Sequence, residues 1–458
     1  MTAQKAQAAG ASLRPPGPKG GPFGIGHAIA SQRDILGFMT RLGSYGDMAY
    51  FQVGPIKAYL VNHPDLLRDL LIGKADLIQK LAYQRAVLSQ IEGNGMLASE
   101  GEHWRKQRRL LQPAFHARRI AALADRAVQE TQARIEGWRD GAVIEAIPEM
   151  TDLSMVIMAK SFFGLDLDAE APQFRAAMRD MSETFMIEMR GIFRAPRWLP
   201  GAGRKWRAVD AIDALIWELV RRQRGSSAEG DNLLSILLRA IDPDSNAQAM
   251  SEREARDEAV TMFNAGHDTT AAALAWILYE IANRPDVAAR IEREVDAALA
   301  GRAPHADDMP ALSYTETVVL EAMRLYPPTW SLFTREALQP FELGGYAIPK
   351  GAWLIAMPWV THRDARFFPE PLKFDPGRFA PERAGELQRF AYFPFGIGGH
   401  TCLGMRLATV ELVLMIATLC QRCRFSPPEP DRPLEIDTLL SIWPKGRLPL
   451  RVQRRSRT

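Results

Sequence analysis

A lone cysteine in a glycine-rich loop is the residue with the clearest chemical potential in this sequence. Cys402 lies within Phe395–Gly404, a stretch with glycines at positions 396, 398, 399 and 404, and the apolar, helix-forming run Leu403–Leu419 follows it. A helix N-terminus favours a thiolate through its dipole and its free N–H groups. Glycines let the backbone pass close to a flat partner and direct N–H groups at the sulfur. A thiolate held in this way suits an axial ligand of haem iron. The alternative is a buried structural cysteine that caps the helix.

An acid and an alcohol lie in the middle of the longest predicted helix. Ser251 and Glu254 have the spacing of a capping box. Helical periodicity then continues to Asn283, over about 33 residues and roughly 50 Å. Asp268 and Thr269, with a neighbouring glycine and a second threonine, are poor helix formers, so we expect a local opening for a diatomic ligand or water. An acid beside an alcohol can deliver protons through water. The alternative is a kink closed by threonine side chains that bond back to the helix.

Two further pairs of residues have spacings that place them on one helix face. Trp104 and Arg108 are four residues apart, and Glu321 and Arg324 are three residues apart. The fork of an arginine matches the two oxygens of a carboxylate. Taken alone, the first pair can be part of a solvated basic face and the second pair can be an ordinary helical ion pair.

Taken together, these motifs resemble the cytochrome P450 superfamily of haem-thiolate monooxygenases over nearly the whole chain. The matching patterns are Phe-x-x-Gly-x-His-x-Cys-x-Gly around Cys402, an acid–Thr pair at Asp268 and Thr269, Trp-x-x-x-Arg at 104–108 and Glu-x-x-Arg at 321–324. The resemblance implies a mainly α fold with a large helical part and a small β-rich subdomain. It also implies that the haem lies between the long central helix and the loop that carries the cysteine.

The resemblance implies roles for individual residues as well. Cys402 would be the iron ligand of haem b, Thr269 would hydrogen-bond bound dioxygen, and Asp268 would help to deliver protons. The other residues expected to bind the cofactor are Trp104, Arg108, Arg335, Phe395 and His400, all but Phe395 of them at the haem propionates. His400 takes a position where arginine is commoner in the family, and the charge of an imidazole depends on pH.

The resemblance also predicts structural and substrate-binding segments. Glu321, Arg324 and Arg378 would form a buried trio that holds the segment of the thiolate, although Gly377 stands where the family usually has a glutamate. The segment 329–333 would edge the pocket. Mixed periodicity and the Gly-Asn-Gly sequence at 93–95 predict a long, partly ordered loop over residues 75–99, and by the resemblance this loop would cover the pocket. A stripe of methionines and phenylalanines is either core or an adaptable pocket roof. Its members are Met178, Met181, Phe185, Met186, Met189 and Phe193.

Composition limits the class of protein. The chain has 458 residues, 47% of them hydrophobic, and a net charge of +3, and it shows no basic run interleaved with aromatics, so nucleic-acid binding is not expected. Since no linker, repeat or low-complexity tract interrupts it, we expect a single domain over residues 1–458 with a flexible segment at 1–20. Three cysteines fit a reducing cytoplasm. Because no apolar run reaches ~18 residues, we expect no membrane anchor.

Local patterns predict several elements outside these motifs. The pattern of Ser31–Leu42 predicts a short amphipathic helix. Met48–Val53 and Ile56–Val61 flank Gly-Pro and read as a β-hairpin. Residues 115–240 read as mostly helical.

The expected function is a monooxygenase that inserts one atom of dioxygen into a large apolar substrate, such as a fatty acid, terpenoid, steroid or macrolide. Since no flavin or iron–sulfur motif is present, electrons would come from NAD(P)H through a ferredoxin or flavodoxin and its reductase. The basic face of the Trp104 helix is a candidate contact surface for that partner. Two alternatives stay open. The first is a peroxide-driven enzyme with the same fold, and the Asp268–Thr269 pair argues against it. The second is a haem-thiolate sensor or electron carrier, in which this acid–alcohol pair would have no purpose.

Overall fold

The structure is a computed structural model that describes residues 14–164, 176–177, 180–181, 184–185, 188–189, 196–225, 232–239, 250–429 and 434–455. Helices dominate these residues, as expected. The α-helices are α1 (Ile25–Arg33), α2 (Ile35–Gly43), α3 (Pro64–Arg68), α4 (Ala82–Glu92), α5 (Gly101–Leu111), α6 (Ala117–Glu136), α7 (Ala146–Met158), α8 (Gly203–Gly225), α9 (Leu233–Arg239), α10 (Glu252–Ala282), α11 (Pro285–Leu299), α12 (Ser313–Leu325), α13 (Pro358–Thr361) and α14 (Met405–Arg422).

Within the described residues the strands are short and form four small sheets. They are β1 (Met48–Val53), β2 (Ile56–Val61), β3 (Ile78–Lys80), β4 (Val143–Glu145), β5 (Arg335–Ala337), β6 (Phe341–Leu343), β7 (Tyr346–Ile348), β8 (Trp353–Ala356), β9 (Cys423–Ser426), β10 (Ile436–Thr438), β11 (Ile442–Pro444) and β12 (Pro449–Arg454). The largest sheet has the order β1-β2-β8-β5-β3, and a three-stranded sheet has the order β4-β12-β9. Two further pairs are β6-β7 and β10-β11.

The chain forms two compact units whose segments alternate along the sequence. The β-rich unit consists of Met1–Arg85, Arg324–Phe374 and Pro381–Cys402. The helical unit consists of Ala86–Met323, Asp375–Ala380 and Leu403–Thr458.

The five-stranded sheet organises the β-rich unit. The predicted hairpin is confirmed, with Met48 opposite Val61 and Val53 opposite Ile56. β2 then pairs with β8 in parallel, and β8 pairs with β5 antiparallel. Alternate side chains of these strands are buried in one apolar cluster, so burial on one face fixes the register.

Two predictions for the N-terminal part were wrong in detail. The expected helix Ser31–Leu42 is two helices, because Asp34 leaves the helical conformation with φ −154° and caps α2 by accepting the N–H of Gly37 at 2.8 Å. Residues 75–99 are not a long loop, since β3 and α4 lie within them. Contacts that are distant in sequence hold α4, and they are described below.

The long helix α10 organises the helical unit. Its N-terminus has the predicted capping box of Ser251 and Glu254, and its 31 residues end at Ala282. It packs against α7, α8 and α14. Most of its side chains are buried all round, which is typical of a central helix. No helix in the described part of the chain combines the length and apolarity needed to cross a bilayer.

The helix α14 follows the cysteine loop and contains a buried carboxyl group. It begins at Met405 with Gly404 as its N-cap, two residues later than the run that the sequence predicts. Glu411 lies on its buried face. Burial raises the pKa of Glu411 from 4.5 to about 8, so this side chain is mostly protonated at neutral pH.

The pKa of Glu411 predicts how stability depends on pH. Between pH 4.5 and about 8 the folded chain holds a proton that the unfolded chain loses, so the free energy of unfolding should fall as pH rises. The slope from one such group approaches about 1.4 kcal/mol per pH unit. Urea unfolding from pH 6 to 8 measures it, and Glu411→Gln should lack this component. An identical slope in the variant and the native chain would contradict the assignment.

Candidate active site

Backbone hydrogen bonds close the loop that carries Cys402. The N–H of Cys402 donates to the carbonyl of Phe395 at 2.8 Å. The N–H and the hydroxyl of Thr401 donate to the carbonyl of Gly398 at 3.1 and 2.7 Å. Cys402 itself is exposed. The loop therefore satisfies its own backbone groups and leaves the cysteine accessible.

Glycine is required at two positions of this loop. Gly398 has φ +76°, and a Cβ atom there would lie 2.5 Å from the carbonyl oxygen of Leu71. Gly396 has φ +81°, in the left-handed region that other residues rarely adopt. The sequence analysis noted both glycines. The structure explains why position 398 needs glycine, because the loop passes close to Leu71 there.

A buried histidine supports the start of the same loop, and the sequence analysis assigned it no role. The N–H of Phe393 donates to Nε2 of His362 at 2.9 Å. Burial and the guanidinium groups of Arg324 and Arg363 lower the pKa of His362 well below its ordinary value. The ring is therefore neutral, and its Nε2 is free of a proton and able to accept.

Arg324 is also part of this support. Its guanidinium is fully buried in the β-rich unit and donates to the carbonyl oxygens of His362, Pro371 and Lys373 at 2.7, 2.7 and 3.1 Å. It also lies over the ring of Phe368. Arg324 thus has a structural role, as predicted, because its guanidinium holds three backbone carbonyls in place.

The other two cysteines differ from Cys402 in exposure. Cys420 and Cys423 are buried. Burial raises the pKa of the Cys420 thiol to about 12 and that of the Cys423 thiol to about 11. Neither side chain is a thiolate at neutral pH, so Cys402 is the exposed thiol among the three cysteines of the chain.

Three further predicted cofactor residues lie in the β-rich unit with Cys402. Phe395 and His400 belong to the cysteine loop and are half-buried. Arg335 lies on β5, is buried, and donates from Nη1 to the carbonyl of Phe333 at 3.2 Å. The structure therefore joins Phe395, His400 and Cys402 in one loop and places Arg335 on the sheet of the same unit.

The acid–alcohol pair lies on an unbroken part of α10, which corrects one prediction. The expected opening around residues 265–270 is absent, because the helix is continuous from Glu252 to Ala282. Instead, the hydroxyl of Thr269 donates to the carbonyl of Ala265 at 2.7 Å, as in the alternative interpretation. Tertiary packing of the helix outweighs the weak helix propensity of these residues.

The same face of α10 is nevertheless accessible and polar. Ala265 is exposed in the middle of a helix whose other side chains are largely buried. Asp268 is half-buried, and its Oδ2 has no hydrogen-bond partner among the described residues. The hydroxyl of Thr269 is thus exposed on this face, whereas Oδ2 of Asp268 is a buried acceptor that lacks a described partner.

His267, which the sequence analysis left without a role, is part of the core. Its ring is buried and stacks on Phe263 with a centroid distance of 5.7 Å. Its backbone carbonyl accepts the hydroxyl of Ser154 on α7 at 2.9 Å. Burial lowers the pKa of His267, while the carboxylates of Asp268 and Asp152 act in the opposite direction.

Trp104 and Arg108 share a face of α5, as their spacing predicts. The guanidinium carbon of Arg108 lies 5.7 Å from the centroid of the Trp104 ring. The indole and the guanidinium are therefore side by side, in an arrangement that can offer N–H donors to one carboxylate.

The predicted basic face of α5 is partly neutralised by acidic neighbours. Arg105 forms an ion pair with Glu102, and Lys106 lies 3.6 Å from a carboxylate oxygen of Glu254. Exposed ion pairs of this kind are weak, so the cations still contribute to the surface potential.

Glu321 of the predicted trio is fully buried in the helical unit. It accepts the N–H of Asp375 at 2.8 Å, and its carboxylate lies 3.4 Å from Nε of Arg378. Asp375 in turn caps the short turn Pro376–Phe379 by accepting the N–H of Gly377. The Glu321 carboxylate therefore fixes the segment that holds Arg378.

The methionine and phenylalanine stripe is core where it can be described. Met181 and Phe185 are buried, Met189 is half-buried, and Met178, Met186 and Phe193 lie outside the described residues.

Glu188 next to the stripe is buried and belongs to a polar triad. Lys205 donates to Glu188 and Gln90 at 2.6 and 2.7 Å, and Gln90 donates to Glu188 at 2.9 Å. This triad ties α4 to α8 and was not predicted.

Comparisons with known proteins identify the family. The family model described as Cytochrome P450 matches residues 15–450. The chain therefore belongs to the cytochrome P450 family, as its motifs predicted.

Bacterial relatives and solved structures agree with this assignment. The cyclooctat-9-en-7-ol 5-monooxygenase of Streptomyces melanosporofaciens is 35% identical over 88% of each chain. The pentalenene oxygenase of Streptomyces avermitilis is 31% identical over 94% of this chain and 96% of its own. The crystal structure of the heme domain of cytochrome P450DA matches with a TM-score of 0.86 and 25% identity, over 96% of this chain and 97% of that one.

Family membership establishes the class of reaction. The protein is a cytochrome P450 monooxygenase that uses haem and dioxygen, acts on an apolar substrate and depends on redox partners. Its residues fit haem-thiolate chemistry. Cys402 is an exposed thiol in a loop that contains two glycines with positive φ, and the guanidinium groups of Arg108 and Arg335 are suited to carboxylates.

The buried carboxylate of Glu321 predicts a loss of stability on its neutralisation. Glu321→Gln keeps the shape but removes the charge beside Arg378, so we expect the free energy of unfolding to fall by about 3 kcal/mol. Urea unfolding of the haem-loaded protein measures it. The matched control is Glu370→Gln, because Glu370 also lies 3.4 Å from its partner Lys373 but on the exposed surface. The control should change stability by less than about 0.5 kcal/mol, and equal losses in both variants would refute the role of Glu321.

Proposed function

We propose that this cytochrome P450 oxidises a terpenoid. The observation that carries the proposal is the agreement among bacterial relatives at 31–35% identity. The names of the two relatives described above give cyclooctat-9-en-7-ol and pentalenene as the compounds that are oxidised. Among the apolar substrates expected from the sequence, the terpenoid class is thereby favoured over fatty acids, steroids and macrolides.

In this proposal Cys402 would hold the iron of haem b through its thiolate. The exposure of Cys402 and the self-contained hydrogen bonding of its loop support this role. Haem with such a ligand supplies oxygen activation, because the thiolate increases electron density at the iron.

In this proposal Asp268 and Thr269 deliver protons to the site of the reaction. The Thr269 hydroxyl already donates to a carbonyl on its own helix, so it can exchange that partner for water or a ligand on the same accessible face. The unpartnered Oδ2 of Asp268 can hold a proton that arrives through water and pass it to that face. The two residues together keep the proton supply next to the reacting substrate.

The remaining proposed cofactor residues recognise the carboxylates of the haem. Trp104 and Arg108 offer adjacent indole and guanidinium donors, and Arg335 offers a second guanidinium. His400 donates from its imidazole, and Phe395 holds the cysteine through its backbone carbonyl. Arginine suits this task because its planar fork pairs with two oxygens at once.

Electrons come from NAD(P)H through a ferredoxin or flavodoxin and its reductase in this proposal. The residual positive charge of α5, to which Arg105, Lys106 and Arg109 contribute, supports an acidic partner. A cytoplasmic location and a single folded domain also remain predictions from the sequence.

The proposal is tested by binding and turnover of a panel of terpenoids, fatty acids and macrolides. Terpenoids should shift the ferric spin state and, with a surrogate ferredoxin, its reductase and NADPH, should gain one oxygen atom. Shifts with fatty acids or macrolides alone would contradict the terpenoid assignment. Equal turnover with hydrogen peroxide in place of the electron donors would favour the peroxide-driven alternative.

Replacement of the proposed ligand gives a direct spectroscopic prediction. Cys402→Ser removes the thiolate, so the reduced carbon monoxide complex should lose the absorption band typical of thiolate ligation. Cys420→Ser is the matched control, because that thiol is buried, and its spectrum should equal that of the native protein. An unchanged spectrum in Cys402→Ser would remove the cysteine from the site.

Replacement of the alcohol tests the proton supply. Thr269→Ala should lower the yield of product per NADPH by roughly tenfold or more, since general-acid assistance contributes ~10²–10⁴ in rate. NADPH consumption and product are measured in the same reaction, and the neighbouring Thr270→Ala serves as control. Full coupling in Thr269→Ala would show that the hydroxyl plays no part in the mechanism.

A further inference from the structure

A buried polar cluster lies one helical turn before Asp268 on α10. Glu92, the last residue of α4, accepts the hydroxyl of Thr261 at 3.3 Å and the side-chain amide of Asn264 at 3.3 Å. Each carboxylate oxygen of Glu92 takes one of these bonds, and all three residues are buried. We call Glu92, Thr261 and Asn264 the polar anchor.

The side chain of Asn264 presents an acceptor that the protein does not use. Its Nδ2 must face the Glu92 carboxylate, because an amide oxygen there would be repelled. Its Oδ1 is therefore turned away from Glu92. Asn264 is only 6% exposed, and Oδ1 has no hydrogen-bond partner among the described residues. Buried acceptors are normally paired, so this atom is suited to a donor supplied by a ligand.

The turn after α4 holds the anchor rigidly against α10. A Cβ on Gly93 would lie 2.2 Å from the Asp257 carboxylate, and a Cβ on Gly95 would lie 2.0 Å from the Thr261 hydroxyl. The N–H of Asn94 donates to Asp257 at 2.9 Å. The Gly-Asn-Gly sequence at 93–95, which the sequence analysis placed in a loop, thus makes the close contact that fixes α4 on α10.

The anchor is close enough to the acid–alcohol pair for one ligand to reach both. Asn264 precedes Asp268 by four residues and Thr261 precedes it by seven, so all three lie along one side of α10. At 1.5 Å per residue, Asn264 and Asp268 are separated by ~6 Å along the helix axis. A small polycyclic molecule can span that length.

We propose that the polar anchor binds a hydroxyl group of the substrate, so that the enzyme prefers a terpenoid alcohol to the corresponding hydrocarbon. This inference rests on the proposed function. The substrate hydroxyl donates a hydrogen bond to Oδ1 of Asn264, while Glu92, which also accepts the hydroxyl of Thr261, accepts Nδ2 of the amide and holds it in place. A hydrocarbon leaves the buried oxygen unpaired and binds less tightly for that reason. One relative is itself named for an alcohol substrate, cyclooctat-9-en-7-ol.

The test compares pairs of terpenes that differ in a hydroxyl, cedrane with cedrol and valencene with nootkatol. Spin-state titration of the haem-loaded ferric protein gives a Kd for each compound and needs no redox partner. The measured quantity is the ratio of hydrocarbon Kd to alcohol Kd. Asn264→Leu should lower this ratio about tenfold relative to the native protein, and the comparison of ratios cancels the different hydrophobicity of the two compounds.

Controls separate the anchor from general effects of substitution. Asn283→Leu removes an asparagine that bonds to the carbonyl of Tyr279 at the C-terminal end of α10, and it should leave the ratio unchanged. Asn264→Ala makes a smaller change and should lower the ratio as Asn264→Leu does, which keeps the test valid if the larger residue prevents haem loading.

The outcomes distinguish the two levels of the proposal. A lower ratio in both Asn264 variants, with the control unchanged, supports the anchor. An equal ratio in the native protein and the Asn264 variants overturns the anchor but leaves terpenoid oxidation intact. If none of the four terpenes shifts the spin state while other apolar compounds do, the proposed function fails and the anchor fails with it.

Discussion

The hydrogen bond from the N–H of Cys402 to the carbonyl of Phe395 closes the loop that carries the cysteine, and several groups of the β-rich unit hold this loop in place. An exposed thiol cannot hold its own backbone by burial, so other groups must do so. Gly398 lets the loop approach Leu71, and neutral His362 accepts the N–H of Phe393. Arg324 fastens the backbone around His362 in turn. Buried polar groups thus support the segment that leads into the loop of Cys402.

In the helical unit, the long helix α10 carries the polar anchor residues Thr261 and Asn264 together with Asp268 and Thr269, the residues proposed to supply protons. Along α10 the Asp257 contact fixes the turn after α4, the polar anchor follows, and Asp268 and Thr269 come one turn later. Spacing along a rigid helix holds these groups at constant separations. Hydrogen bonds offset the cost of burying Asp257, Thr261 and the amide nitrogen of Asn264 in an apolar core. Oδ1 of Asn264 and Oδ2 of Asp268 are buried without a partner among the described residues.

Local signals in the sequence predicted the elements that depend on local physics. Ser251 and Glu254 cap α10, the Gly-Pro turn makes the β1–β2 hairpin, and the glycine spacing around Cys402 identified the cysteine loop. Features that depend on distant contacts were missed. The sequence of residues 75–99 predicted a loop because α4 is stabilised by contacts with α10, which a local pattern does not show. The support from His362 was missed because its hydrogen-bond partner Phe393 is 31 residues away. The expected opening of α10 failed because packing against α7 and α14 maintains the helix. The single-domain prediction and the roles of individual cofactor residues remain predictions.

The central claim is a bond from the sulfur of Cys402 to haem iron. Iron K-edge X-ray absorption tests it most directly in the double variant Cys420→Ser, Cys423→Ser, in which Cys402 is the only cysteine left of the three in the chain. The account predicts one sulfur atom in the first coordination shell of the iron, and its loss when Cys402 is also replaced by serine. A first shell of nitrogen and oxygen alone in the double variant would contradict it.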